Sequence, residues 1–127
     1  MSVKSELKSV RISPRKVGVV AALVRGRTVS DAVTILDHTP RRAAKAVKKA
    51  VVSAKANATH NHNYKPDSLV ISQISVNSGP RYKRYRPAAR GRANRFMHKT
   101  SHILVLVDGD QREVKPKAKV VTDKETK

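Results

Sequence analysis

A basic and aromatic stretch at residues 79–99 contains the side chains with the clearest chemical potential in this sequence. It reads GPRYKRYRPAARGRANRFMHK and has no acidic residue. Three of the four aromatic residues of the chain lie in it: Tyr82, Tyr85 and Phe96. Guanidinium groups match phosphate oxygens and bases stack on aromatic rings, so this composition favours nucleic-acid binding. The eight cations of the stretch are Arg81, Lys83, Arg84, Arg86, Arg90, Arg92, Arg95 and Lys99.

The residue patterns of enzymes and metal sites are not found elsewhere in the sequence. The nine acidic residues are scattered, the glycines are isolated and there is no cysteine. His60 and His62 have the spacing of a metal pair, but only Asp67 lies near them as a further ligand. Catalysis and metal binding both need clustered groups. We therefore expect no catalytic residue, no metal and no cofactor.

The net charge of the chain points to a polyanionic partner. Lys and Arg total 28 against 9 Asp and Glu, which gives +19. Such an excess opposes compactness by self-repulsion, and a polyanion would relieve it. Nucleic acid is the first candidate and an anionic membrane surface the second. A membrane-active protein needs an amphipathic helix with bulky apolar residues, whereas the longest predicted helix is rich in alanine.

Three helices are predicted before the basic stretch, each from a start signal and a periodic apolar stripe. Serine or threonine followed by proline favours a helix start, and glycine favours a stop. The predicted helices run from Ser13-Pro14 to Gly26, from Ser30-Asp31 to Asp37 or His38, and over about residues 40–59 after Thr39-Pro40. Their predicted buried residues are Val17, Val20, Ala21 and Val24; Ala32, Val33 and Leu36; and Ala43, Val47, Ala50, Val51, Ala54 and Ala58. Another face of the third helix carries Arg41, Lys45 and Lys48. This face could bind a partner or simply be a solvated helix surface, and the pattern favours neither interpretation.

Strands are predicted on both sides of the basic stretch. Residues 69–77 and 103–107 are predicted strands, and residues 2–12 a possible edge strand. In that edge strand, Lys8, Val10 and Ile12 would share one face and Val3, Ser5 and Leu7 the other. Pairing of the two later strands would continue outward as a ribbon over about residues 79–100, with its turn near Pro87 and Gly91 and a reach of roughly 30 Å. A disordered basic loop and an active-site lid are the alternatives.

The chain is expected to form a single globular domain over residues 1–110, which includes the ribbon. Residues 111–127 show little periodicity and are predicted to be a disordered basic tail. An isolated two-stranded ribbon is marginally stable in water. We therefore expect the ribbon to be mobile when free and ordered when surrounded by RNA.

Four segments together resemble one protein family. They are ISPRKVGVVAALVRG (12–26), KKAVVSAKANATHN (48–61), SVNSGPRYKRYRPAARGRA (75–93) and HKTSHILVLV (98–107). In this order they resemble the bacterial large-ribosomal-subunit protein twenty-two family, over about residues 7–108. The resemblance implies an α+β fold: three helices packed on a small three-stranded antiparallel sheet with a long protruding β-hairpin. It also implies a structural constituent of the large subunit, cytoplasmic and ribosome-bound, and not an enzyme.

The resemblance further implies partners and a location for the hairpin. The partners would be large-subunit ribosomal RNA, neighbouring large-subunit proteins and the nascent polypeptide, with no membrane and no homo-oligomer. The hairpin tip would line the peptide exit tunnel beside ribosomal protein four, and Ala88 replaces an arginine common in the family. The expected tip residues are Arg86, Pro87, Ala88, Ala89, Arg90 and Gly91. The expected RNA-binding residues are Arg11, Ser13, Arg15, Lys16, Arg25, Arg27, Arg81, Lys83, Arg84, Arg86, Arg90, Arg92, Arg95, His98, Lys99 and His102.

An architectural DNA-binding protein is the main alternative from another class. Such proteins also insert basic β-ribbon arms with a proline near the tip into the minor groove. They usually act as two-armed dimers, whereas this sequence predicts one arm and has no long apolar dimer seam. Crosslinking in cells distinguishes ribosomal RNA from chromosomal DNA as the partner.

Overall fold

A computed structural model describes residues 2–112, which form three helices and three strands. The elements are β1 (Val3–Val10), α1 (Pro14–Val24), α2 (Val29–His38), α3 (Arg42–Ala56), β2 (Val70–Pro87) and β3 (Ala93–Asp108). A π-helical turn, Asn57–Asn61, continues α3, and a short 3₁₀ turn, Ala89–Gly91, joins β2 to β3. The predicted α+β fold with a long hairpin is confirmed. Most of the predicted tail, residues 113–127, lies outside the described residues, and the single-domain boundary stays a prediction.

The sheet is antiparallel with β3 in the middle and β1 at one edge, in the order β1-β3-β2. Leu7 lies opposite Ile103 but Val10 lies opposite Ser101, so β1 has one extra residue between these pairs. Ser9 lies in this β-bulge and has a positive φ of 55°. The bulge turns Val10 and Ile12 to the core side, where they pack beside Leu7. The prediction that they face away from Leu7 was wrong, because strict alternation holds only in an unbulged strand.

Helices α1 and α3 pack on the sheet, α2 packs against both of them, and together they bury most of the predicted stripes. Helix α3 contacts β1 and β3, while α1 contacts β2 and β3. Every residue predicted to be buried in α1 and in the third helix is buried, and of the three predicted in α2 only Val33 is half-buried instead. The small alanine side chains of α3 let its backbone approach the sheet closely. The sheet contributes Ile71, Ile74, Ile103, Val105 and Val107 to this core.

The helix starts follow the predicted signals only in part. Pro14 opens α1 after Ser13 as predicted, although the Ser13 side chain makes no capping hydrogen bond. Helix α2 begins at Val29 instead of Ser30, because Thr28 caps it by accepting a hydrogen bond from the Asp31 N–H at 3.3 Å.

The third helix begins two residues later than the Thr39-Pro40 signal predicted. Its first residue is Arg42. Thr39 closes the preceding helix instead, since its Oγ1 donates to the Ile35 carbonyl at 2.7 Å. The same short polar side chain can serve at either end of a helix, so sequence alone did not place this boundary.

The loop between α1 and α2 covers the outer edge of β2 where this strand begins. Gly26, in the left-handed region at φ 72°, donates to the Ile71 carbonyl at 3.1 Å. The Ile71 N–H donates in turn to the Arg27 carbonyl at 3.0 Å. Backbone groups at this sheet edge are therefore paired within the protein.

Candidate nucleic-acid interface

Beyond the body, β2 and β3 continue as a two-stranded arm, defined here as residues 79–100. Seven residue pairs run without interruption from Arg81 opposite Lys99 to Pro87 opposite Ala93. At about 3.3 Å per residue, the paired part is roughly 20 Å long. The arm is a hydrogen-bonded ribbon, which confirms that prediction over the disordered loop and the lid.

The tip of the arm is a five-residue loop after the Pro87–Ala93 pair. The Ala88 N–H donates to the Arg92 carbonyl at 2.7 Å and closes the loop. Gly91 has a positive φ of 69°, as expected for a permissive residue in the turn. Arg90 also has a positive φ, 58°, which its residue type did not predict.

The two faces of the arm differ in composition. Residues directly opposite each other on paired strands share a face, so the register assigns each side chain to one side. The Tyr82 face carries Tyr82, Arg84, Arg86, Asn94, Phe96 and His98. The Tyr85 face carries Arg81, Lys83, Tyr85, Arg95, Met97 and Lys99.

Two of the three arm aromatics are engaged within the arm. The Arg95 guanidinium lies 5.8 Å from the centre of the Tyr85 ring. Phe96 is half-buried between Arg86, at 5.2 Å, and the edge of His98, also at 5.2 Å. Tyr82 has no comparable ring contact within residues 2–112 and is 45% exposed. Tyr85 is 60% exposed despite its contact with Arg95, so Tyr82 and Tyr85 both present ring surface to solvent, on opposite faces of the arm.

The root of the arm is fixed by a second bulge and two hydrogen bonds. Gly79 and Pro80 lie on β2 opposite the single residue Thr100, whose buried Oγ1 donates to the Pro80 carbonyl at 2.7 Å. His102 Nδ1 accepts a hydrogen bond from the Ser9 N–H at 3.0 Å. The three strands are therefore tied together where the arm leaves the body.

A basic cleft, called here the root cleft, opens beside the root of the arm. Its volume is about 940 Å³, and it lies between the arm, the start of α1 and the start of α3. No acidic side chain from residues 2–112 lines it. Its polar lining residues are Arg11, Ser13, Lys16, Arg41, Arg42, His98 and Lys99.

A smaller cleft, the side cleft, adjoins it on the Tyr82 face. Its volume is about 340 Å³, and Tyr82, Arg84 and Thr100 line it. Arg11 and His98 line both clefts. The two spaces are therefore neighbours along a shared wall.

The positive charge of these surfaces is uncompensated within the described part of the chain. The ion pairs there join Lys4 and Lys8 to Glu6, and Lys48 to Asp37. None of them includes a cation of the arm or of the root cleft. Such a surface binds a polyanion by displacing its counterions.

Comparison with known proteins assigns the family. Residues 5–108 match the family described as ribosomal protein L22p/L17e. The chain belongs to this family. It is 52% identical over 107 residues to the large ribosomal subunit protein uL22 of Oceanobacillus iheyensis, covering 84% of this chain and 95% of that protein. It is 47% identical over 108 residues to the large ribosomal subunit protein uL22 of Herpetosiphon aurantiacus, covering 85% and 96%.

Membership of the L22p/L17e family settles the broad role. The chain is a structural protein of the large ribosomal subunit, bound to the ribosome, and it is not an enzyme. In residues 2–112 no group of three or more histidine, aspartate or glutamate side chains could hold a metal ion. None of the described helices is long and apolar enough to cross a membrane.

The RNA-binding residues predicted for this L22p/L17e chain fall into separate places. Those of the arm lie on its two faces and at its tip, and Arg11, Ser13 and Lys16 lie in the root cleft. Arg15 is exposed on α1 outside the lining of that cleft. His102 lies below the root, where its ring nitrogen is engaged by Ser9.

Arg25 and Arg27 lie at the opposite end of α1 from the root cleft. The Arg25 guanidinium donates to the Ile74 carbonyl at 3.3 Å, and Arg27 Nε donates to the Leu23 carbonyl at 3.0 Å. An 11-residue helix separates them from the cleft by about 15 Å. The structure therefore does not bring these two arginines together with the other predicted residues.

Sequence reasoning did not select Arg41 and Arg42 as binding residues. The late start of α3 places them at its N-terminus, facing the root cleft. A signal was present, because cations at a helix N-terminus oppose the helix dipole, where acidic residues are preferred. Arg41 at the N-cap and Arg42 in the first turn therefore leave positive charge at this helix end that no acidic residue of the first turn offsets.

Proposed function

We propose that this large-subunit protein binds large-subunit ribosomal RNA through its arm, whose tip lines the peptide exit tunnel. The observation that carries the proposal is a ribbon of seven residue pairs with eight uncompensated cations and no acid. The ribbon extends away from the body, and all eight of these cations are exposed. A partner that surrounds the arm and is itself anionic fits this arrangement.

Ribosomal RNA supplies the charge that the arm lacks. Each phosphate that pairs with an arginine or lysine releases a condensed counterion, which drives binding at low salt. The side chains of the arm point to both sides of the ribbon, so RNA on both faces can neutralise them. The arm cations, Arg11, Ser13, Arg15, Lys16, Arg25, Arg27, His98 and His102 remain the proposed contact residues.

The tip has properties suited to a tunnel wall. Ala88 and Ala89 are small, and Arg90 and Gly91 turn the chain through two successive positive φ values. Residues 86–91 thus offer a compact turn with small side chains at its centre, past which a nascent polypeptide could move. We place the neighbouring large-subunit proteins around the body and the nascent chain at this tip.

Ultraviolet crosslinking in cells tests the proposal. The full chain is recovered under denaturing conditions, and the crosslinked nucleotides and peptides are identified. We expect crosslinks from the arm to large-subunit ribosomal RNA and from the tip to nascent polypeptide. Recovery mainly on chromosomal DNA would instead support the architectural DNA-binding alternative.

Two matched variants distinguish binding through the arm from nonspecific attraction of RNA to a basic protein. Replacing Arg84, Arg92 and Arg95 by glutamine removes three arm charges without touching the core. Replacing Lys45, Lys49 and Lys55 of α3 by glutamine removes the same charge elsewhere. Only the arm variant should lose most of its arm crosslinks, and equal losses from both variants would contradict the proposal.

A further inference from the structure

We propose that the root cleft and the side cleft together form a groove for an unpaired segment of RNA. The root cleft would bind its phosphates, and Tyr82 in the side cleft would stack on one of its bases. The proposal rests on the proposed RNA-binding function and specifies which form of RNA this part of the protein takes. It concerns the body and the root of the arm, not the tip.

The cations of the root cleft come from three separate parts of the fold. Arg11 precedes α1, Arg42 begins α3, and Lys99 belongs to the arm strand of β3. They surround a space, so their common ligand must enter it. A duplex presents its phosphates on a stiff convex surface and meets one wall at a time, whereas a single strand can pass between the walls.

No acidic side chain from residues 2–112 lines the root cleft to balance its cations. The first turns of α1 and α3 contain no acidic residue, while Lys16 and Arg42 lie within them. Each of these cations opposes the dipole of its own helix and repels its neighbours across the cleft. A phosphate between these cations would offset both their repulsion by the helix dipoles and their repulsion of one another.

The side cleft supplies a surface for a base. Tyr82 is 45% exposed, and Arg84, on the same face of the arm, also lines the cleft. Tyr85, although 60% exposed, lies on the opposite face of the arm and lines neither cleft, and Phe96 is half-buried against Arg86 and His98. A cationic groove with an uncovered aromatic ring is the arrangement that binds single-stranded nucleic acid.

The two clefts adjoin at two shared residues. Arg11 and His98 line both, so an RNA segment leaving the phosphate-binding space passes directly to the Tyr82 ring. Met97, which is 48% exposed, and Ile12 add an apolar wall to the root cleft. Such a wall suits the sugar and base edge of an unpaired nucleotide better than the phosphates of a duplex.

The first test compares two tyrosines on opposite faces of the same arm. Full-length Tyr82→Leu and Tyr85→Leu proteins are titrated with a fluorescent single-stranded oligouridine of about ten nucleotides and with an RNA duplex of similar length. We expect Tyr82→Leu to weaken binding of the single strand about tenfold. Tyr85→Leu should change that affinity less than about twofold, since its ring lies on the opposite face of the arm and lines neither cleft. Neither variant should alter binding of the duplex.

The second test removes two charges inside or outside the cleft. Arg41→Gln with Arg42→Gln lies in the root cleft, and Lys45→Gln with Lys49→Gln lies outside it on the same helix. For the single strand, loss of two phosphate contacts should reduce the log–log salt slope by about 1.4. The control pair should reduce it by less than half of that. Far-ultraviolet circular dichroism and melting temperature confirm that all four proteins are folded.

The outcomes separate the inference from the proposed function. Wild-type protein that binds neither RNA would refute the proposed function itself. Wild-type protein that binds RNA while both tyrosine variants, or both charge pairs, behave alike would overturn the groove and leave the RNA-binding arm standing. A tenfold loss that appears equally with the duplex would also overturn it, because the groove would then not select an unpaired strand.

Discussion

Gly79 is the residue on which the geometry of the arm root depends most directly. A Cβ atom at this position would lie 2.5 Å from Thr100 Oγ1 and 3.1 Å from His102 Nε2. Thr100 is buried and uses the same oxygen to hold Pro80. The glycine is needed here for close approach of two strands, not for a positive φ.

We predict that Gly79→Ala lowers the free energy of unfolding by about 1–3 kcal/mol, the usual cost of overpacking. The added methyl group forces Thr100 to rotate and breaks its hydrogen bond to Pro80. Urea unfolding followed by circular dichroism measures the change. Thr100→Val, which removes the same hydrogen bond without a clash, should cost only about 1 kcal/mol.

Gly18→Ala is the matched control. Gly18 lies inside α1 with open space where a Cβ would be, so this alanine should stabilise the protein by about 0.5–1 kcal/mol. Equal effects of the two alanine substitutions would show that the contact at Gly79 does not restrain the root.

At the scale of elements, the arm and the core are made from the same two strands. β3 is buried at residues 103, 105 and 107 and exposed along most of its arm half. A two-stranded ribbon without a third strand or a helix over it is marginal in water. The core half is covered by α1 and α3.

We therefore predict a steep gradient of amide hydrogen exchange along β3. Amides at residues 103–107 should exchange slowly in the free protein, and those at residues 93–99 should exchange fast. Addition of large-subunit ribosomal RNA should slow the second group and leave the first unchanged. Equal protection of residues 93–99 with and without RNA would contradict ordering of the arm by its partner.

The sequence predicted the elements well where one signal dominated. The apolar stripe of α3 and the basic ribbon around Pro87 and Gly91 were both recognised, because periodicity and turn residues agreed. The starts of α2 and α3 were misplaced since Thr28, Ser30 and Thr39 are all able to cap or to close a helix. The bulge at Ser9 was missed because a serine carries no signal for a positive φ.

The candidate site was predicted from the sequence less completely than the fold. Cations close together along the chain, as in the arm, were found directly. Arg42 and Lys16 are distant in sequence, and only tertiary packing brings them to one cleft. The difference between Tyr82 and Tyr85 likewise depends on strand register and on which face of the arm adjoins the side cleft.

For the whole molecule, binding should be dominated by phosphate contacts. If the eight arm cations each neutralise one phosphate, the log–log salt slope for large-subunit ribosomal RNA should be roughly −6 to −7. Fluorescence or filter-binding titrations between low and moderate salt measure it. A slope near zero would contradict the electrostatic account of the arm.

Folding of the body should not require the outer arm. The buried side chains lie in β1, the helices and the core halves of β2 and β3, and in Tyr64 and Leu69 before β2. We predict that deletion of residues 81–95 leaves a protein that unfolds cooperatively in urea, with a nearly unchanged m-value. A broad, non-cooperative transition in this deletion would show that the arm is part of the core.

The continuity of β2 and β3 has a mechanical consequence. A pull on the tip along the arm loads both strands together, because the turn at residues 88–92 joins them. Their displacement would slide β3 along β1 and strain the hydrogen bonds of that ladder simultaneously, in shear, instead of unzipping them one at a time. The body would therefore resist tension at the tip through the ladder between β1 and β3 and through the backbone bonds that join the α1–α2 loop to Ile71 of β2.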